Sequence, residues 1–119
     1  MDVAEADYEI IRGDTSIVGP FQIRDANENV LKLDSTDEMY FTIKKSYTNN
    51  DYILQKKLST DEIKYKNGVY YVILEHNDTA ELDYGTYVYD FEIISEELVK
   101  TILMGTITLT NEVTHKSNE

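Results

Sequence analysis

The stretch Leu82-Asp83-Tyr84-Gly85-Thr86-Tyr87-Val88-Tyr89-Asp90-Phe91-Glu92-Ile93 constrains this chain more than any other. Large apolar or aromatic side chains return at Tyr87, Tyr89, Phe91 and Ile93, with Val88, Asp90 and Glu92 between them. Successive side chains of a strand point to opposite faces, so this period of two describes a strand with one face buried. Just ahead of it, Asp83-x-Gly85-x-Tyr87 puts a phenol at the start of the strand, close behind a turn that Gly85 allows.

The rest of the chain repeats the strand theme. Tyr8-Glu9-Ile10-Ile11 ends at the turn Arg12-Gly13-Asp14-Thr15, and Ser16-Ile17-Val18 resumes before Gly19-Pro20. Proline cannot donate to a ladder, so that dipeptide predicts an edge strand or one that kinks between sheets. Met39, Phe41 and Ile43 alternate with Tyr40, Thr42 and Lys44, and the turn cluster Thr48-Asn49-Asn50-Asp51 predicts a hairpin return through residues 52–58. Asn67-Gly68 is a type I′ hairpin signal between a short strand and Val69–Leu74, whose two apolar faces predict a central strand. Gly105, inside the last run, predicts a bulge or bend. Residues 1–7 read as a frayed acidic lead-in and 111–119 as a polar tail, both flexible, around one domain spanning 1–119.

Short strands with frequent turn signals and no helical period predict an all-β fold: an immunoglobulin-like antiparallel sandwich of about 7–9 strands with Greek-key connections. In such sandwiches a tyrosine corner returns its hydroxyl to backbone a few residues upstream, two residues before the position that holds cysteine in antibody domains. Asp83, Gly85 and Tyr87 have that spacing, and Tyr89 stands at the cysteine position.

Composition narrows function mainly by exclusion. The chain has 119 residues and no cysteine, which removes thiol catalysis, zinc–thiolate sites and disulfides. Its net charge of −12 repels a phosphate backbone and an anionic membrane surface, so neither nucleic acid nor membrane is an expected partner. No apolar run approaches the ~18 residues of a membrane span, and the acidic start lacks the apolar core of a secretory signal. The two histidines, His76 and His115, have no cysteine to join them in a metal site, and no nucleophile elbow or Gly-rich oxyanion loop is present. The expectation is a non-enzyme with no cofactor.

Other motifs have simple structural readings. Arg12-Gly13-Asp14 spells a cell-adhesion tripeptide, but a tight turn alone explains it. Asp34, Asp37 and Glu38 are oxygen donors available to calcium, though without EF-hand spacing. Ten tyrosines against three phenylalanines offer area with a polar tip. Tyr40, Tyr70 or Tyr71, and Val88 are placed opposite the core, as a candidate contact surface for another subunit.

The order of these motifs resembles the immunoglobulin-like N-terminal domains of tailed-phage tail and baseplate proteins, of the baseplate upper protein type. The likeness runs over residues 8–114: a strand, the Arg12-Gly13-Asp14 turn, a polar turn at 25–29, Leu31-Lys32-Leu33, the strand from Met39, then Asp78-Thr79, Leu82, Gly85-Thr86-Tyr87-Val88-Tyr89-Asp90 and Gly105-Thr106-Ile107-Thr108-Leu109. It implies a domain that docks a receptor-binding or fibre component onto the virion, with virion proteins as partners, a homo-oligomer among the options, and no catalytic residues. Larger relatives continue into a stalk or receptor-binding region, so a chain of this length is expected to be a free-standing virion or accessory protein, or a fragment. The alternative is a bacterial surface sandwich that binds glycans through exposed tyrosines, with calcium at the acidic loop.

Overall fold

A computed structural model describes residues 4–24, 27–34, 36–95 and 98–111. Within them are nine strands: β1 (Ala4–Glu5), β2 (Tyr8–Ile11), β3 (Ser16–Phe21), β4 (Glu38–Lys44), β5 (Leu54–Lys57), β6 (Ile63–Lys66), β7 (Val69–Leu74), β8 (Gly85–Ser95) and β9 (Leu98–Thr110). A single helical turn, α1 (His76–Thr79), lies between β7 and β8. The strands form two sheets. One has the order β1-β9-β8-β4-β5, with β2 also paired to β9; the other is β3-β7-β6. The molecule is an immunoglobulin-like β-sandwich. No helix among the described residues is long and apolar enough to cross a membrane.

Alternation builds the core. Met39, Phe41 and Ile43 of β4 and Tyr87, Tyr89, Phe91 and Ile93 of β8 are all buried, and Phe41 lies directly opposite Phe91. The smaller sheet contributes Val18, Ile63, Tyr70, Val72 and Leu74. Between the layers, Phe91 has its ring centroid 4.7 Å from Phe21 and 4.9 Å from Phe41, a tilted arrangement that suits the charge distribution of aromatic faces and edges. The Tyr87 hydroxyl donates to the Asp83 carbonyl at 2.8 Å, closing the corner that the spacing predicts. Asn67 and Gly68 both take positive φ, as the hairpin joining β6 to β7 requires. The strand carrying Gly19-Pro20 is an edge strand, β3, whose register against β7 is irregular between Val18 and Phe21.

Several expectations change. Residues 4–7 are not a frayed lead-in: Ala4 and Glu5 pair in parallel with Leu103 and Met104, and Tyr8–Ile11 pair in parallel with Ile107–Thr110. The larger sheet is therefore antiparallel except along this edge. Gly105 is not a bulge; it sits in register opposite Tyr89, and the irregularity of β9 falls further back, between the partners of Phe91 and Glu92. Its lack of a side chain serves a close approach instead. A Cβ at 105 would collide with the Ala6 carbonyl, the same carbonyl that accepts the Tyr89 hydroxyl at 2.6 Å. Asp7 completes the crossing, because its Oδ1 accepts both the Thr106 amide (3.0 Å) and the Thr106 hydroxyl (3.1 Å). The segment read as a loop after β7 contains α1, where the Glu75 amide donates to Asp78 in a capping box. Parts of the turns at Asp25-Ala26, Ser35 and Glu96-Glu97, and the tail 112–119 with His115, lie outside the described residues.

Gly105→Ala is expected to destabilise by about 2 kcal/mol or more, since the obstacle is backbone and cannot swing away. Tyr89→Phe should cost about 1 kcal/mol by removing the hydroxyl that donates to the partly buried Ala6 carbonyl. Urea unfolding of the two variants measures both; wild-type midpoints would contradict this account of the crossing.

Candidate interaction face

The alternation that fills the core also decides what the larger sheet shows outward. Tyr40, Thr42 and Lys44 of β4 stand opposite Glu92, Asp90 and Val88 of β8, and these stand opposite Thr101, Met104 and Thr106 of β9. Lys57 and Gln55 of β5 extend the Tyr40 and Thr42 rows. The Lys57 ammonium lies 5.6 Å from the Tyr40 ring centroid, and Thr86 and Thr108 share a hydroxyl hydrogen bond of 3.0 Å. Charged, hydroxyl and apolar groups thus form a mixed grid.

Two depressions mark the grid. One of about 350 Å³ is open and bounded by Tyr40, Gln55, Lys57, Glu92 and Ile94. The other, about 90 Å³, lies between Lys44, Val88, Asp90 and Tyr47. Drug-sized ligands use enclosed pockets of about 300–1,000 Å³, so neither is shaped to engulf a small molecule. Tyr47 comes from the loop after β4, and its hydroxyl donates to the Gly105 carbonyl of β9 at 3.2 Å. Tyr47 is 52% exposed, a half-open aromatic wall beside the smaller notch.

Asp90 sits near the middle of this face. Burial, then the neighbouring Glu92 charge, raises the pKa of its carboxyl above the ordinary value, against the pull of Lys44. Folding therefore favours its protonated form, and the ionised carboxylate costs stability at neutral pH. Glu38, at the start of β4, has the opposite sign. Burial alone would raise its pKa, but hydrogen bonds from Ser59 and from the Met39 amide outweigh that and lower it.

The candidate residues are not all brought together. Tyr40 and Val88 share the outward face of the larger sheet. Tyr70 does not belong to any surface: it is buried, and its hydroxyl accepts the Leu33 amide at 2.8 Å. The sequence leaves Tyr70 and Tyr71 interchangeable because β7 is apolar on both faces, and the pairing of Val72 with Val18 settles which one is inside. Tyr71 points outward from the smaller sheet, on the other side of the molecule.

Asp34, Asp37 and Glu38 serve their own turn. Asp34 accepts from the Thr36 amide and hydroxyl, Asp37 from the Asp34 amide, and Glu38 from Met39 and Ser59. Among the described residues no group of three or more His, Cys, Asp or Glu is placed to hold a metal ion. The Arg12-Gly13-Asp14 turn is docked onto the corner loop. The Arg12 guanidinium lies 4.1 Å from the Tyr84 ring centroid and donates to the Leu82 carbonyl, while the Gly13 amide donates to Thr79 Oγ1. His76 Nδ1 is 2.7 Å from the Gly13 carbonyl.

Edges are less inviting than faces. β5 and β6 carry Lys56, Lys57, Lys64 and Lys66, and β3 carries Gly19-Pro20. Lysines and proline on outer strands are common devices against strand addition. Tyr47 and Asp90 were not singled out by the sequence: alternation puts Asp90 outward, but nothing in it says that a loop tyrosine crosses above. No family model and no curated protein matches the chain.

Asp90→Asn should raise the melting temperature at pH 7, and the gain should vanish below the ordinary aspartate range near pH ~4, where Asp90 is protonated anyway. Glu38→Gln should lower it at pH 7, with the loss fading as pH falls through the depressed Glu38 pKa. Melting curves from pH 3 to 7 separate the two signs; parallel curves for wild type and variants would refute both.

Proposed function

We propose that the chain is a non-enzymatic structural adaptor of a phage or prophage virion, working by protein–protein contact at the tail, baseplate or fibre attachment. The observation that carries this reading is the outward face of the larger sheet. It is a preformed surface of mixed chemistry with Tyr40, Tyr47 and Val88 exposed or half-exposed on it.

Three features support it. The immunoglobulin-like frame is the one implied by the order of motifs from the Arg12 turn to Gly105. Apart from Tyr47 the face rests on strands rather than on loops, so little ordering is lost when a partner docks. Aromatic side chains with polar tips are enriched at such contacts because they bury large area while keeping one end hydrogen-bonded. The phage assignment rests on the motif resemblance; the contact mechanism rests on the face.

Particles purified after prophage induction from the source strain are expected to contain this chain as a stoichiometric component, by mass spectrometry. Val88→Asp should reduce its incorporation at least ~10-fold while leaving its melting temperature within a few degrees, since the site is on an outward face. Particles lacking the chain would overturn the virion reading. Normal incorporation of the variant would overturn the choice of face.

A further inference from the structure

Register gathers acids from distant parts of the chain on the outward face of the larger sheet. Glu5 of β1 pairs with Met104 of β9, Met104 with Asp90 of β8, and Asp90 with Thr42 of β4. Glu9 of β2 shares the row of Thr108, and Asp7 is bonded to Thr106 on the same face. Glu38 and Glu92 complete a set of carboxylates that shares the face with only two strand lysines, Lys44 and Lys57. None of these groups joins an ion pair; the pairs among the described residues are Lys56–Asp78 and Lys64–Asp61. Tyr47 shows how closely the acids converge. Burial first, then the charges of Asp90, Glu5 and Asp7, raise the pKa of its phenol above the ordinary value.

We infer that the partner docking on this face is a protein with a basic surface, its lysine or arginine side chains set against Glu5, Asp7, Asp90 and Glu92. The inference rests on the proposed reading of the face as the contact surface and names the chemistry of what meets it. Charge complementarity selects the occupant. A second copy, a phosphate backbone and an anionic membrane would each bring negative charge to a chain of −12. The depressions are too open to engulf a small molecule, and among the described residues no cluster is placed to hold a metal ion. A basic protein surface meets the acids directly and is steered to them from a distance.

The extent of the face suits such a partner. Five strand positions ~4.8 Å apart, each about eight residues of ~3.3 Å long, give about 600 Å² in flat projection. That is of the order of the ~800 Å² per partner in a standard interface. Between the carboxylates, contact falls to Tyr40, Val88 and Met104, where a charge would be desolvated rather than paired. The smaller notch supplies an anchor. At about 90 Å³ it takes the end of one side chain, between Tyr47 and Asp90. A guanidinium there gains a charge-assisted hydrogen bond and an aromatic face. Lys44 lines the same notch, so its ammonium is the competitor within the chain.

Titration of the full chain with an end-blocked oligoarginine peptide, at about 0.1 and 1 M sodium chloride, tests this by calorimetry and amide chemical shifts. Binding is expected at the lower salt. Affinity should fall at least ~10-fold at the higher, as the reach of charge shortens from ~10 to ~3 Å. The shifts should centre on Tyr47, Asp90 and Met104. The pair Asp90→Asn and Glu92→Gln should weaken binding at least ~5-fold more than Asp14→Asn with Glu81→Gln, which removes the same charge from exposed loop positions. Lys44→Gln should tighten it, and circular dichroism checks that every variant folds. No binding, equal effects of the two pairs, or shifts centred elsewhere would each overturn the inference. The titration needs no particle, so it is separate from the incorporation test. A virion component that ignores oligoarginine keeps the adaptor role and loses the basic partner; a chain that binds the peptide but is missing from particles does the reverse.

Discussion

A buried phenol must find an acceptor or donor for its oxygen, and three tyrosines of this sandwich do so by seizing backbone outside the strands that carry them. Tyr70 receives the Leu33 amide, Tyr87 donates to Asp83, and Tyr89 donates to Ala6. An unpaired polar group in such a place costs about 1–3 kcal/mol, so each bond fixes a segment that strand pairing alone would leave loose. Tyr70 ties the connection between the sheets, Tyr87 ties the turn into β8, and Tyr89 ties the first strands across 83 residues of sequence. Phenylalanine would fill the same space with none of this bracing. A tyrosine-rich, tryptophan-free core is in this sense a set of anchors.

The anchors explain what could be read beforehand and what could not. Burial on one face writes itself as a period of two, which is why Met39, Phe41 and Ile43, and the run from Tyr87 to Ile93, were legible. The tyrosine corner was legible because its partner lies only four residues away. Tyr8–Ile11 was legible as a strand, but the strand at Ala4–Glu5 and the parallel pairing of this edge were not. Ala4–Glu5 is too short to show a period, and the edge pairs in parallel with a strand about a hundred residues later. Gly105 stood out in the sequence, but its reason is the approach of Ala6 rather than a local bend.

The candidate face was half visible for the same cause. Tyr40 and Val88 follow from alternation around buried neighbours. Tyr70 and Tyr71 could not be told apart within a strand apolar on both sides. Tyr47 belongs to a loop, and where a loop side chain lands depends on three-dimensional shape that no spacing records. The outcome is a frame with two unlike outward surfaces: one carrying acids, hydroxyls and shallow depressions, the other apolar with lysines. The proposed adaptor role would need stiffness more than motion, and phenols bonded to main chain supply stiffness.

The most direct test of that bracing is an alkaline titration of tyrosine absorbance, followed together with far-ultraviolet circular dichroism. Burial, the first cause in each case, raises the pKa of Tyr70, Tyr87 and Tyr89 above the ordinary phenol value near ~10. Folding holds these groups protonated, so their contribution to stability persists below the unfolded pKa and is lost as pH rises through the folded one. The account predicts a late wave of ionisation that coincides with loss of the β signal. A single reversible wave near pH ~10 covering all ten tyrosines, with the β signal intact, would contradict it.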